Sequence, residues 1–570
     1  MTPPVATGGA EQLRRDLLML ILVGAVLFGA GLGLRDPWPA DEPRFALIAR
    51  DMAATGEWLF PRIGGDLYQD KPPVFFWAIG GMYALTGELR LAFLLPSLLA
   101  GIGILLLVYD LGRRVWSREA GLASALLLAF SVQFVMQARA AQIDMLLAFF
   151  STAALYGIGR HLLAGPDWRA YALGGFAAGL GVITKGTGFL ALLLVLPFFA
   201  LRRLGFSGLW AGAGGARWWL APATALGAIA CWLVPMLAAV ALSGDPELAA
   251  YRDELLFTQT ITRYASAWHH HEPWHYFLVN VIPGLWLPGT ALLPWLVPRW
   301  RAAWRERDGR ALLFLGWIAL VLAFFSASSG KRGVYILPAL PALALAAGPW
   351  LAAIAARQSA QALLFAMATA AVLVAAGAAA YLELLRPDKL ARLAERYDVV
   401  SVAPLVAIAL AGAVLLALLR PRRGFAAWAG LLALVVVVQG LWINPMMNGA
   451  RSARNLADAV ERSLAPGTEL GLVAYREQYL LQLRRPTTNF GHRRGFDPDQ
   501  EDRDAALWLN AAPDRALLVD NERLAGCFAA SGKRFLIHAN RRDWYLVTGR
   551  ADAACVADGN PAAARQYEPY

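Results

Sequence analysis

Residues 35–87 read RDPWPADEPRFALIARDMAATGEWLFPRIGGDLYQDKPPVFFWAIGGMYALTG, which sets Asp41, Glu42, Arg44, Asp66, Tyr68, Asp70 and Lys71 between two apolar stretches. Carboxylates beside cations suit chemistry on an anionic substrate. Lysine offers phosphate a point charge and arginine a bidentate fork. A second acid, Asp144 in QARAAQIDMLLAFF, stands at the mouth of an apolar segment, where a charge is costly and marks a functional candidate. TKGTG (184–188) and SASSGKRGVYILP (326–338) add Lys185, Lys331, Arg332 and Tyr335. A third cluster, WHHHEPWH (268–275), places His271 and His275 four apart, a usable metal spacing on a helix, with His269 nearby. It lacks a complete ligand set, and an interfacial Trp/His belt is the alternative.

The elements that position these residues are membrane helices. Of 570 residues, 58% are hydrophobic and 16% charged, and mean hydropathy is +0.47. Soluble domains carry about 25% charged residues. Continuous apolar runs near the ~20 residues that cross a bilayer recur through the first three quarters of the chain. They do not alternate, so they predict helices rather than barrel strands. Basic residues precede the first run and no small-residue cleavage pattern follows it, so it reads as a retained helix. No Walker, dinucleotide, GxSxG or HExxH motif is present. The net charge of +11 is explained by short basic loops and needs no nucleic acid.

Those loops fix orientation. Arg113, Arg114 and Arg118; Arg202, Arg203 and Arg217; Arg299 to Arg310; and Arg420, Arg422 and Arg423 mark one side. The loops holding Asp41, Asp144, Lys185 and Lys331 then share the other. Parity allows only one crossing between 72 and 113, so the short, glycine-containing segment 73–87 is expected to lie in the interface. This gives an all-α polytopic bundle of about 13 crossings over 1–443. Two interfacial helices sit in the first outer loop. The helix from Glu42 would turn Phe45, Ile48, Ala49 and Met52 to one face and Arg44, Arg50 and Asp51 away, with Asp41 as its N-cap. Residues 444–570 are polar. ELGLVAY, RALLVDN, RFLIHAN and DWYLVTG read as strands, and ARSARNLADAVERSL and QEDRDAALWLNAA as amphipathic helices. A small α/β extracytoplasmic domain is expected. Cys527 and Cys555 could be bridged there if the compartment is oxidising. Cys231 reads as a buried small hydrophobe in an apolar run.

The first-loop motif DEPRFALIARDM…GEWLFPRIGGDLYQDKPPVFFW, followed in order by the Asp144, Lys185 and Lys331 segments and by NPMMNGARSARNLADAV, resembles the protein O-mannosyltransferase-like branch of the GT-C glycosyltransferases. Within it the chain is most similar to members that modify lipid A. The resemblance implies an undecaprenyl phosphate-linked aminoarabinose donor, lipid A phosphate as acceptor, and lowered polymyxin affinity of the product. It implies a bacterial inner-membrane setting with the site on the periplasmic side. Asp41 and Asp144 match catalytic positions, Arg44 and Lys71 hold the carrier phosphate, and Tyr68 lines the same cavity. Glu42, Lys185, Lys331, Arg332 and Tyr335 are further candidates around the donor. No cofactor is required on this reading; a divalent metal at His269, His271 and His275 is the alternative. A monomer in contact with membrane lipids is expected. A related transferase using another polyprenyl-phosphate sugar and a glycan or protein hydroxyl is the runner-up; a transporter or flippase is disfavoured because the polar residues cluster at one mouth.

Overall fold

The computed structural model describes residues 8–210, 214–256, 271–492 and 497–569. Among the described residues, six helices are long and apolar enough to cross a membrane: Leu89–Val115, Ile143–Leu163, Gly215–Ser243, Gly309–Ala327, Gln358–Leu385 and Pro421–Arg451. Two further candidates are bent pairs, Arg118–Ala129 with Val132–Ala138 (69°) and Phe277–Leu285 with Thr290–Arg305 (95°). Shorter apolar helices, such as Ala339–Ala355 and Ala403–Leu419, complete the set. The runs 120–137 and 277–298, read as straight crossings from the sequence, are these bent pairs. The run 186–201 begins as a 3-10 turn, Thr187–Leu194.

The two bends face each other, which explains how broken backbone survives inside an apolar bundle. The freed amide of Val132 donates to the Leu287 carbonyl at 3.0 Å. The Trp286 indole N–H donates to Gln133 Oε1 at 2.8 Å. Gln133 in turn donates to the Gly333 carbonyl at 2.8 Å, which ties the bends to the Arg332 loop.

At the opposite end, the basic loops converge as their charge predicts. Arg118 pairs with Asp16 at 2.7 Å. Ser207 N donates to the Arg307 carbonyl at 2.7 Å, and Arg310 reaches the Val115 carbonyl at 3.4 Å.

The first loop contains α1 (Glu42–Thr55) and α2 (Val74–Thr86). They are separated by a short hairpin, β1 (Arg62–Ile63) and β2 (Asp66–Leu67). The 13 residues of α2 rise about 20 Å at 1.5 Å each, short of the ~30 Å hydrocarbon core. It does not cross. Phe45 of α1 packs on Phe75 and Phe76 of α2, with ring centroids 5.3 and 5.7 Å apart. The expected polar face of α1 is not in water, however. Arg50 and Asp51 are buried along with Phe45, Ile48, Ala49 and Met52. The C-terminal domain covers them: Asp51 accepts from the Tyr567 hydroxyl at 2.7 Å.

That domain carries a six-stranded mixed sheet in the order β6-β7-β5-β3-β4-β8. Its strands are β3 (Glu469–Leu472), β4 (Thr487–Asn489), β5 (Arg515–Asp520), β6 (Gly532–Ala539), β7 (Arg542–Thr548) and β8 (Arg565–Tyr567). The three central strands β5, β3 and β4 run parallel, and antiparallel partners close both sides. The four strands read from the sequence are β3, β5, β6 and β7. The helix Pro421–Arg451 runs through position 444 unbroken. Cys527 and Cys555 are disulfide-bonded. Closing their 28-residue separation stabilises the domain by roughly 3.5 kcal/mol on the chain-entropy view. Cys231 is exposed on the flank of its helix rather than buried. Its apolar run faces outward, so its surroundings are the bilayer and not the core.

Candidate active site

Asp41 occupies the N-cap position of α1, but its backbone is helical (φ −98°, ψ −33°) and its side chain makes no capping bond. Its carboxylate is directed across the bundle, where Oδ2 accepts from Arg332 Nη2 at 3.2 Å. Pro43 at the second helical position keeps the turn without needing that cap.

Asp144 sits in the first turn of helix Ile143–Leu163 and is 4% exposed. A carboxylate this buried needs a partner, and Lys185 supplies it with an ion pair. The Lys185 ammonium also lies over the Tyr335 ring, 4.4 Å from its centroid. Burial works against the Arg332 charge. The carboxylates of Asp41 and then Asp144 outweigh it, so the net effect raises the guanidinium's proton affinity. Two acids and two cations from four separate segments therefore form one cluster. Tyr335 forms its wall, and Gln133 holds its loop.

Glu42 has a different task from the donor contact expected of it. Arg35 Nη2 donates to its Oε1 at 2.8 Å, as does Ala141 N at 3.0 Å. Trp38 N donates to Oε2 at 2.9 Å. Glu42 is buried and fully engaged, so it brackets α1 to the loop that leads into Asp144. Arg35 lies against the Trp38 ring, and Arg451 covers the same ring at 4.9 and 4.3 Å respectively. Lys331 also turns away from the cluster. Its ammonium donates to the carbonyls of Glu272 and Ser328 at 2.7 and 2.5 Å and closes its own loop.

Arg44 and Tyr68 adjoin the cluster. Burial pushes the Tyr68 hydroxyl up, and Asp70 adds to this, while Arg44 pulls the other way; Asp41 is also close enough to contribute. Tyr68 therefore serves as a neutral hydrogen-bonding group. Lys71 donates to the Asp70 carbonyl at 3.0 Å. Arg44 Nε donates to Glu477 Oε1 at 2.7 Å, a residue of the C-terminal domain. His492 of the same domain lies in the electrostatic field of Glu477, Arg44, Asp70 and Asp66, and burial pushes its pKa down. Arg44 is thus capped by the domain, a contact the sequence pattern does not show. Nothing in the tail's pattern distinguishes Glu477 or His492 from ordinary surface residues. Gln133 is more legible, being one of two amides, with Gln137, in the apolar run 120–137.

The histidine cluster divides. His269 lies outside the described residues. His271 makes an isolated antiparallel bridge with Gly330, and helix begins only at Tyr276. The helical i,i+4 geometry of His271 and His275 is therefore not formed, because bridging to Gly330 extends the backbone. Among the described residues no group of three metal-capable side chains converges.

Asp51 gives a pH prediction. Burial raises its pKa to about 6, against the opposing hydrogen bond from Tyr567 and the charge of Arg50. A carboxyl raised in the folded state contributes stability that is full below its unfolded value of about 3.9 and is lost as pH rises through about 6. Docking of the tail on α1 is therefore expected to weaken between pH 4 and 6.5. Limited proteolysis across this range should show the trend in the wild type and a flatter one in Asp51→Asn.

The geometry can be set against known proteins. A family profile described as dolichyl-phosphate-mannose-protein mannosyltransferase matches residues 70–234. The undecaprenyl phosphate-alpha-4-amino-4-deoxy-L-arabinose arabinosyl transferase of Pseudomonas aeruginosa is 33% identical over 346 residues, 59% of this chain and 59% of that protein. A second such transferase, from Sodalis glossinidius, is 31% identical over 57% of this chain and 58% of its own length. The chain thus matches about three fifths of the length of these curated relatives. The crystal structure of ArnT from Cupriavidus metallidurans bound to undecaprenyl phosphate superposes with a TM-score of 0.71 at 22% identity, covering 95% of this chain and 98% of that one. The apo structure of the same protein gives 0.70. The fold is the one these two structures share: a GT-C helical membrane bundle with a small sheet-containing C-terminal region.

Proposed function

We propose that this chain is a GT-C glycosyltransferase that moves 4-amino-4-deoxy-L-arabinose from undecaprenyl phosphate to the phosphate groups of lipid A, at the periplasmic face of a bacterial inner membrane. The observation that carries this reading is the Asp41–Arg332 and Asp144–Lys185 cluster beside Tyr68, Arg44 and Lys71, on the bundle end opposite the basic loops. The names of the matched relatives support the sugar and carrier. A disulfide in the tail fits an oxidising compartment.

The chemistry is a displacement at the anomeric carbon. An acceptor phosphate oxygen forms the new C–O bond. The bond from that carbon to the carrier phosphate breaks, and its electron pair leaves with the phosphate. An acceptor phosphate is already anionic near neutral pH, so it needs less general-base help than a hydroxyl. Lys71, Lys185, Arg44 and Arg332 stabilise charge that grows on the leaving phosphate. Asp41 and Asp144 face the positive charge developing at the sugar, or its ammonium. Inversion follows from a single displacement. Product lipid A carries less negative charge and binds cationic polymyxin less well. Mass spectrometry of lipid A from cells with and without the gene tests the sugar and acceptor. Aminoarabinose-modified lipid A is expected only with the gene; unmodified lipid A in both would favour another acceptor.

A further inference from the structure

The mechanism leaves one polar cavity unused. It lies where Asp36–Pro37, the end of α2 and the C-terminal domain meet, with a volume of about 260 Å³. An adjoining cavity of about 410 Å³ continues along the domain. Arg50 and Arg454 line both, Arg90 lines the first, and Arg484 lines the second. The acids on the same walls are Asp36 and Glu88. Asp36 is held by Arg90 and Arg454 at 2.7 and 3.0 Å and by Asn448 at 2.7 Å. Glu88 accepts from Arg90 N at 3.1 Å.

Two guanidinium nitrogens here have no hydrogen bond. Arg50 is 6% exposed, yet its buried Nε lacks a hydrogen-bond partner, and Asp51 Oδ1 stands 3.8 Å away. The Nε of Arg454 is also buried without one. A buried N–H left unmade carries a penalty of about 1–3 kcal/mol, so such groups call for an explanation. Arginines lining two adjoining cavities suit phosphate oxygens, and of these Arg484 also pairs with Asp458 at 2.8 Å. The end of α2 that borders the cavity through Tyr83 and Gly87 also carries Leu85, which is 80% exposed. Leu85 sits on an apolar helix too short to cross a bilayer.

We infer that the two adjoining cavities, which share Arg50 and Arg454 and add Arg90 and Arg484, bind the phosphate of an anionic lipid headgroup, with the lipid's chains lying along the Leu85 end of α2. This site is separate from the Asp41–Asp144 cluster and does not depend on the transfer reaction proposed above. It would anchor the C-terminal domain to the membrane surface where that domain covers α1.

The test uses the full purified chain in nanodiscs of phosphatidylcholine containing phosphatidylglycerol, in phosphatidylcholine alone, and in phosphatidylcholine with added inorganic phosphate. Native mass spectrometry counts retained lipid. Wild type should retain phosphatidylglycerol selectively, and Arg454→Gln/Arg484→Gln should weaken retention at least ten-fold. Arg392→Gln, exposed and lining neither cavity, should not. The double variant's unfolding midpoint reports that it still folds; if it does not, Arg484→Gln alone should still weaken retention. Equal retention by wild type and a folded variant would overturn the proposal, as would equal retention of the two lipids. Competition by millimolar inorganic phosphate with no lipid selectivity would make it a free-anion site instead and would equally overturn the lipid assignment.

Discussion

Replacing Asp41 by alanine is expected to lower transfer by about 10²–10³-fold with little loss of stability, the size seen when one preorganised charge is removed from a reacting centre. The Asp41 side chain is 23% exposed and pairs with an Arg332 that is 39% exposed. Pairs of this kind contribute about 0–1 kcal/mol. Because the carboxylate does not cap α1, helix formation does not depend on it. Asp144→Ala should lower transfer to a similar degree but also destabilise. It leaves the half-buried Lys185, its side chain 15% exposed, without its carboxylate, and breaking a buried pair by removing one partner costs up to about 3–5 kcal/mol. Turnover by purified protein, alongside thermal unfolding, separates the two effects. Near-wild-type turnover in Asp41→Ala would remove it from the chemistry.

The second large effect is expected at Glu42, which touches no reacting atom. Glu42→Ala strips Arg35, Trp38 N and Ala141 N of one shared acceptor. Arg35 is 5% exposed and would become an uncompensated buried charge, at a cost of about 3–5 kcal/mol. Because the bracket joins the helix following Asp41 to the loop preceding Asp144, both acids should lose register and turnover should fall with them. Glu42→Gln keeps an acceptor and the shape but not the charge, so it should recover part of both. If Glu42→Ala folds as well as wild type and turns over normally, the two acids are positioned by something else.

How far the sequence revealed the site depended on where each partner lies. The first-loop acids and bases were legible because polar residues are conspicuous between apolar runs. Lys185 and Arg332 were legible because charge parity put them on the outer side. Their pairing was not, since it depends on how helix Ile143–Leu163 and the Gly333 loop pack. Composition could not show that Glu42 is engaged by Arg35 and two backbone amides, or Lys331 by two carbonyls, because the same residue types serve either role. The bends at 130 and 287 were hidden for a related reason: each is stabilised by a group from the other, and hydropathy sums over both. The α/β tail was legible from strand alternation. Its docking on α1 was not, so Arg50 and Asp51 looked like a solvent face. The short strands β4 and β8, of three residues each, gave too little pattern to read.

The central claim is that one cluster, Asp41 with Arg332 and Asp144 with Lys185, carries sugar transfer from a polyprenyl phosphate. The most direct test gives purified protein a radiolabelled undecaprenyl-phosphate aminoarabinose and measures label on added lipid A. Label transfer is expected to require the acceptor, to be lost in Asp41→Ala, and to release undecaprenyl phosphate in equal amount. Transfer at the wild-type rate by Asp41→Ala, or donor consumption with no label on lipid A, would contradict it.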